Sequence, residues 1–317
     1  MNTVSDRIFG NIRAALPKAF KTVWWLLKII LPIGLAVSVL QYLGLIAHLA
    51  LLLNPLFSLI GLPGESAVVF ISSVFLNIYA AIAVITTMPL AMREITILAL
   101  MCLISHNMFV ETAIQKKTGS SAIVMLLLRL TTSFAAAFAL NAILPDHLGP
   151  ILAAQQSVVF DSWSAMLGDW LINAVRLIVK ITLIVTGLMI LQNLLKEFHF
   201  LDFIAKVCAP LMRVLGLSKE SSFLWFVAQT LGLAYGSAVM IEAFERNDIS
   251  PGEANMLNYH VAINHSLLED TLLFVAIGVP AAWITFPRVL LAAVVVWIMR
   301  GALGLRRYWR GRQALKG

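Results

Sequence analysis

Two short stretches carry most of the side chains that could do chemistry. The first is Leu103-Ile104-Ser105-His106-Asn107-Met108-Phe109-Val110-Glu111-Thr112, and the second is Ala262-Ile263-Asn264-His265-Ser266-Leu267-Leu268-Glu269-Asp270-Thr271. They align at one constant spacing: Ile104 meets Ile263, His106 meets His265, Glu111 meets Asp270 and Thr112 meets Thr271. Each stretch sets an imidazole, small polar side chains and a carboxylate within a long apolar run. Ionisable groups at membrane depth are costly, about 2.5–3.5 kcal/mol for Asp, Lys or Arg at a helix centre. Paying that cost twice, in the same pattern, points to one site built from two halves. A neutral imidazole can ligate a metal, donate to a solute or relay a proton. A satisfied structural histidine is the plainer alternative for either one alone.

The carboxylates follow each histidine at a fixed distance. Glu111 and Asp270 lie five residues beyond, and Glu269 lies four beyond His265. A separation of four puts two side chains on one helical face, whereas five swings the second about 140° round the axis. The expected site therefore takes Glu269 in preference to Glu111, which reads equally as part of an interfacial charge cluster with Lys116 and Lys117. Ser105, Asn107, Asn264 and Ser266 flank the histidines. They can hydrogen-bond a solute, cover backbone groups freed where a helix breaks, or hold helices together.

The surrounding elements must place these groups at depth. Of the 317 residues, 60% are hydrophobic and only 12% are charged, against about 25% charged in a soluble domain. The apolar runs are long and continuous, unlike the strands of about 10 residues in a barrel. The expected class is all-α and polytopic. The net charge of +7 sits at the ends and in short loops, a topology signal that excludes nucleic acid as a partner. Cys102 and Cys208 are the only cysteines and imply no disulfide framework.

In order, residues 1–22 form a basic lead-in and Trp24–Ile46 spans. His48–Ile60 is too short to span and lies in the interface. Glu65–Pro89 is apolar but interrupted by Ser72, Ser73, Asn77 and Tyr79. Glu94–Gln115 carries the first motif, and Ser121–Ile143 spans. After a polar linker over 146–169, Leu171–Leu195 spans and Phe200–Leu215 is interfacial. Glu220–Phe244 is the second interrupted segment, with Gln229, Thr230, Tyr235 and Ser237. Glu253–Ile277 carries the second motif, Ala281–Met299 spans, and a basic tail follows over 304–317. The two halves match beyond the motifs. Glu94 meets Glu253 and Arg129 meets Arg288 at the spacing of the histidines. Pro55 meets Pro210, Gly61 meets Gly216 and Glu65 meets Glu220 at a second, slightly shorter one. The repeats run over 23–145 and 170–303, and such repeats are a signature of transporter folds.

Charge then orients the chain. No Lys or Arg occurs between Arg129 and Arg176, so the linker is outside, and both basic termini are cytoplasmic. Each half then needs an odd number of crossings. Treating Glu65–Pro89 and Glu220–Phe244 as re-entrant hairpins meets that condition, and gives six spanning helices, two hairpins and two interfacial helices in an inverted repeat. The hairpin groups Asn77, Gln229 and Thr230 then line a central pocket or pack helices. Glu65, Glu94, Glu220 and Glu253 complement helix N-termini, or take part in gating or ion coupling. Arg129 and Lys180 read as structural bridges to acidic groups, or as attractors of an anionic solute.

At Ile104-Ser105-His106-Asn107-Met108-Phe109-Val110-Glu111-Thr112 and the following Lys116-Lys117-Thr118-Gly119, the chain resembles the nucleoside-recognition, or Gate-domain, membrane protein family. The resemblance covers nearly the whole chain as two Gate repeats. The same domain is implied in the spore maturation proteins A and B and in the membrane part of the ferrous-iron transport protein B. Its architecture is similar to that of the concentrative nucleoside transporters, which implies substrate held between two hairpins and two broken helices, in the inner membrane.

The expected function is transport of a small polar solute, a nucleoside or similar metabolite, by alternating access. Its site is drawn from Ser105, His106, Asn107, Asn264, His265, Ser266, Glu269, Asn77, Gln229 and Thr230. Two alternatives stand beside it. One is a divalent metal transporter using His106, His265, Glu269 or Asp270, whose binding weakens as pH falls through about 6.5. The other is a non-transporting component of a larger complex. The chain has no P-loop, HExxH or GxSxG motif, so no enzyme and no resident cofactor is expected. A coupling ion, H+ or Na+, and a homo-oligomer are both compatible with it.

Overall fold

The computed structural model describes residues 4–146, 148, 161–198, 207 and 210–314. Twelve α-helices are labelled here in chain order: α1 Val4–Tyr42, α2 Leu45–Ser58, α3 Ser66–Phe75, α4 Ile78–Ile85, α5 Met92–Ser105, α6 Met108–Lys117, α7 Ala122–Ile143, α8 Trp163–Glu197, α9 Ser222–Glu245, α10 Pro251–Ile263, α11 Glu269–Ala276 and α12 Ala281–Ala314. The protein is all-helical over these residues. Most of the linker and most of Phe200–Leu215, the second expected interfacial helix, lie outside them.

Helices α5 and α10 form the centre. Every residue of α5 from Ile95 to Ser105 is buried, and α10 is buried from Met256 to Ile263. A helix buried on all faces needs an apolar surface all round, which both have apart from a few polar side chains. Around them, α7, α8 and α12 turn large apolar residues outward, among them Leu127, Phe138, Leu183, Phe286 and Leu290. Such a girdle has no place in water and suits lipid. Four stretches are long and apolar enough to cross a membrane: Met92–Lys117, Ala122–Ile143, Trp163–Leu191 and Ala281–Leu305. The protein is an integral, multi-pass membrane protein. Of the six expected spans, α1 offers the shorter apolar stretch Leu31–Tyr42, and α10–α11 is the other. The basic lead-in and the first span form one helix, α1, with Pro17 and Pro32 inside it.

Both interrupted segments fold back on themselves. In the first, α3 and α4 pack together and are separated at Leu76–Asn77, where Asn77 is extended (φ −163°) and its side chain caps α4 by accepting from Ala80 N at 3.0 Å. The second turns at Gly232, whose φ of 68° and ψ of 174° interrupt α9. Beyond that turn, a Cβ on Gly236 would lie 3.6 Å from the Ala228 Cα. In a continuous helix eight residues span about 12 Å, so the two arms of α9 lie side by side.

Candidate functional site

Each motif is a helix broken at its histidine. α5 ends with His106 at its C-cap, and Asn107 takes φ 48° before α6 begins. α10 ends at Ile263, and Ser266 takes φ 47° before α11. Positive φ is uncommon outside glycine, though Asn tolerates it. Here the rest of the break holds it in place. The freed Asn107 N–H donates to Ser73 O of the first hairpin at 2.9 Å, and Ser266 N–H donates to Ala228 O of the second, also at 2.9 Å. Ser73 and Ala228 are matching positions at the spacing that relates the two hairpins.

A buried arginine backs each break. Arg129 Nε donates to Ile104 O at 2.8 Å, and its Nη2 donates to His106 O at 2.7 Å. Arg288 Nη1 reaches His265 O at 3.4 Å. Both side chains are fully buried. They satisfy carbonyls that a broken helix leaves without partners. Of the two roles open to Arg129 from sequence, the structural one has these bonds behind it.

The histidines meet between the halves. His106 Nδ1 lies 3.1 Å from Cys102 O and His265 Nδ1 lies 2.7 Å from Val261 O, each four residues back in its own helix. A carbonyl can only accept, so each Nδ1 carries a proton, and in a neutral imidazole each Nε2 then presents a lone pair. The two Nε2 atoms are 3.4 Å apart. Two carboxylates complete the cluster, each bridging to the other half. Asp270 Oδ2 is 3.4 Å from His106 Nε2, and Glu111 Oε1 is 3.4 Å from His106 Nε2 and 3.2 Å from His265 Nε2. The other Glu111 oxygen pairs with Arg129 Nη2 at 2.8 Å. Ligand atoms of His106, His265 and Asp270 all fall within 4.8 Å of one another. None of the four residues is more than 6% exposed. Two imidazoles and two carboxylates thus converge in a space that water barely reaches, and with the imidazoles neutral all of the facing atoms are acceptors.

The structure distributes the expected site residues unevenly. His106, His265 and Asp270 come together, and Glu111 joins them where the sequence favoured Glu269. The expected swing of Glu111 away from its histidine holds only in a continuous helix. The break at Asn107 lies between His106 and Glu111 and resets the phase. Glu269 instead accepts a hydrogen bond from Tyr79 of the first hairpin at 2.8 Å. Gln229 Nε2 donates to Asn264 O at 2.7 Å, while Gln229 Oε1 and both amide atoms of Asn264 are buried without a hydrogen-bond partner among the described residues. Ser105 donates to Arg129 O, and Thr230 donates to Phe226 O in its own helix. Asn77 is engaged in capping, and Asn107 and Ser266 contribute through backbone at the breaks.

Comparison with known proteins agrees with the repeat. The nucleoside-recognition (Gate) family model matches twice, over residues 23–146 and 178–295. An uncharacterized membrane protein of Bacillus subtilis (strain 168), YvoD, is 34% identical over 272 residues, which is 84% of this chain and 86% of that protein. No solved structure matches. The two broken helices, each with its histidine and its arginine, fall inside the two matched segments, and the chain belongs to the nucleoside-recognition (Gate) family of membrane proteins.

Proposed function

We propose that the protein is a membrane transporter whose substrate is a divalent first-row transition metal, bound between the two halves by His106, His265, Glu111 and Asp270. One observation carries this reading: the spacing of the His106, His265 and Asp270 ligand atoms, with a Glu111 oxygen beside both imidazoles. Bonds of about 2.0–2.1 Å to His N and carboxylate O in a tetrahedron place ligand atoms about 3.3 Å apart. Four of the separations here are 3.2–3.4 Å. The carbonyl behind each Nδ1 is the outer-shell partner that metal-bound histidines need to aim Nε2. Imidazole with carboxylate suits Mn, Fe, Co and Zn more than a soft copper site or an all-oxygen calcium cage. Each half supplies one histidine and one carboxylate. A rocking of one half against the other would open the ligand set to one side and then the other. The positive-inside pattern supports an inner-membrane location with both termini cytoplasmic.

A second reading keeps the expected small polar solute. It rests on Asn264 and Gln229, since a buried amide with unmet donors and acceptors is costly and asks for a partner.

The test is equilibrium dialysis of the detergent-purified protein against Mn(II), Co(II) and Zn(II), beside a thermal-shift panel of nucleosides. The metal reading expects one ion per chain, with affinity falling on the order of 100-fold in His106→Ala and in His265→Ala, a loss of about 2.7 kcal/mol each. A nucleoside shift lost in Asn264→Ala, with no metal bound, would support the second reading. Silence in both assays would favour a non-transporting partner in a complex.

A further inference from the structure

A second polar cluster lies away from the histidines, where the end of α6 meets α10. α6 closes with Gly119 at φ 93°, Gly119 N–H donating to Lys116 O and Ser120 N–H to Gln115 O. This is the Schellman pattern, and it is complete in backbone alone. Four oxygens of this corner then surround one atom of α10, the Asn258 Nδ2. They are Thr118 Oγ1 and Ser120 Oγ at 2.8 Å, Gln115 O at 3.3 Å and Thr118 O at 3.4 Å. The hydroxyl hydrogens have partners other than the amide. Ser120 donates to Asn255 Oδ1 at 2.6 Å, and Thr118 donates back to Gln115 O and Ile114 O.

An amide nitrogen has two hydrogens, and here it faces four acceptors. The Asn258 Oδ1 is buried with no partner among the described residues, as are both amide atoms of Gln115. Asn258 and Gln115 are fully buried. Around Asn258 Nδ2, four oxygens thus compete for two hydrogens while the Asn258 oxygen and the Gln115 amide go without partners, in a place that water does not reach. Rotating the Asn258 amide by half a turn, which exchanges two atoms of nearly equal size, would bring five oxygens together.

The other half shows that the corner has no structural need of these groups. At the spacing of the histidines, the turn ending α11 has the same form. Gly278 takes φ 101° and donates to Val275 O, and Val279 N–H donates to Phe274 O. Its residues are Phe274, Ile277 and Val279 where the first half has Gln115, Thr118 and Ser120. The position matching Asn258 is Ala99, which shares one apolar cluster with Phe274 and Val279. The fold builds this corner from apolar residues in one half and from oxygen donors in the other.

We infer that Gln115, Thr118, Ser120 and Asn258 form a binding site for a small monovalent cation, Na+ in particular. Carbonyls at a helix C-terminus, two hydroxyls and a neutral amide oxygen are the hard, uncharged donors such an ion takes. The negative end of the α6 dipole adds to their attraction. The site lies seven residues from Glu111 along α6, about 10 Å at 1.5 Å per residue, and five from the end of α10, which stops two residues short of His265. An ion here fixes the two elements that carry the first cluster. Binding at this site does not rest on the metal reading, and a His106→Ala protein should keep it.

The test is thermal unfolding of the full chain in detergent, in NaCl, KCl or choline chloride at equal ionic strength. Na+ should raise the midpoint above choline by about 2–4 °C, and K+ should do so less. Thr118→Val removes one donor at constant shape and should abolish the difference. Asn258→Asp separates the ion from a plain structural lock. It keeps an oxygen, adds charge and removes the N–H donors, so an ion site should bind Na+ more tightly, by about tenfold. A lock should be weakened equally in all three salts. The proposal is overturned by the absence of a Na+-specific shift in the natural protein, by its survival in Thr118→Val, or by an Asn258→Asp protein destabilised without regard to salt.

Discussion

The two halves share a backbone plan and differ in what they hang on it. Each breaks a central helix at a histidine, ties the break to its own hairpin through backbone N–H groups, and backs it with an arginine. In the first half Arg129 also holds Glu111. In the second, Asp270 is one methylene shorter, turns across to His106, and leaves Arg288 bonded to Thr271 Oγ1 and His265 O. The hairpins turn by different means as well, one through an Asn77 cap and the other through Gly232. The shared parts are those the fold cannot form without. The parts that differ are where an ion or solute can be given a direction and a preference.

This comparison can be broken or sharpened by paired substitutions. The largest effect is expected at the arginines. Arg129→Leu strands a buried carboxylate and two carbonyls, and should cost about 3–5 kcal/mol. Arg288→Leu loses hydrogen bonds to neutral partners and an attraction to Asp270 without a direct ion pair, and should cost about 1–3 kcal/mol. Denaturant unfolding in detergent reads both, and equal losses would mean that Arg129 does not depend on Glu111 for its larger role. The hairpin turns come next. Gly232 occupies a region of backbone space open almost only to glycine, and a Cβ there would sit 2.6 Å from Ser266 Oγ. Gly232→Ala should therefore cost about 1–3 kcal/mol, and should weaken solute or metal binding by displacing Ser266. Asn77→Ala loses a cap, about 1 kcal/mol. Smallest is the threonine pair. Thr271→Val removes an acceptor from Arg288 and should cost about 1 kcal/mol. Thr112 Oγ1 has no partner among the described residues, so Thr112→Val should fall within about 0.5 kcal/mol of the natural protein.

Much of this was readable in the sequence, because polar residues in an apolar chain are few and their spacing carries information. The repeat and the pairing of His106 with His265 follow from matches at two constant spacings, and the hairpins from the odd number of crossings that the charge pattern requires of each half. Glu111 did not follow, since helical phase was carried through a break that resets it. The corner at Thr118 was not readable for another reason. Lys-Thr-Gly-Ser after a helix looks like an ordinary C-terminal cap, and Asn258 lies far along the chain, in the other repeat. Only the fold sets them side by side, and only the apolar version in the other half shows that the polar one is unnecessary for the turn.

The bonds at the two breaks also bear on how the protein is made. Asn107 finds Ser73, and Ser266 finds Ala228, each inside its own half, so neither half enters the bilayer with its broken backbone waiting for the other. Glu111 likewise meets Arg129 before the second half is synthesised. What must wait is the ligand set, since His106 meets Asp270 and Glu111 meets His265 only after both halves are inserted. The ties at the breaks are thereby complete within each half, whereas the apolar centre and the four-residue cluster are closed only when α8, α10, α11 and α12 pack against the first half.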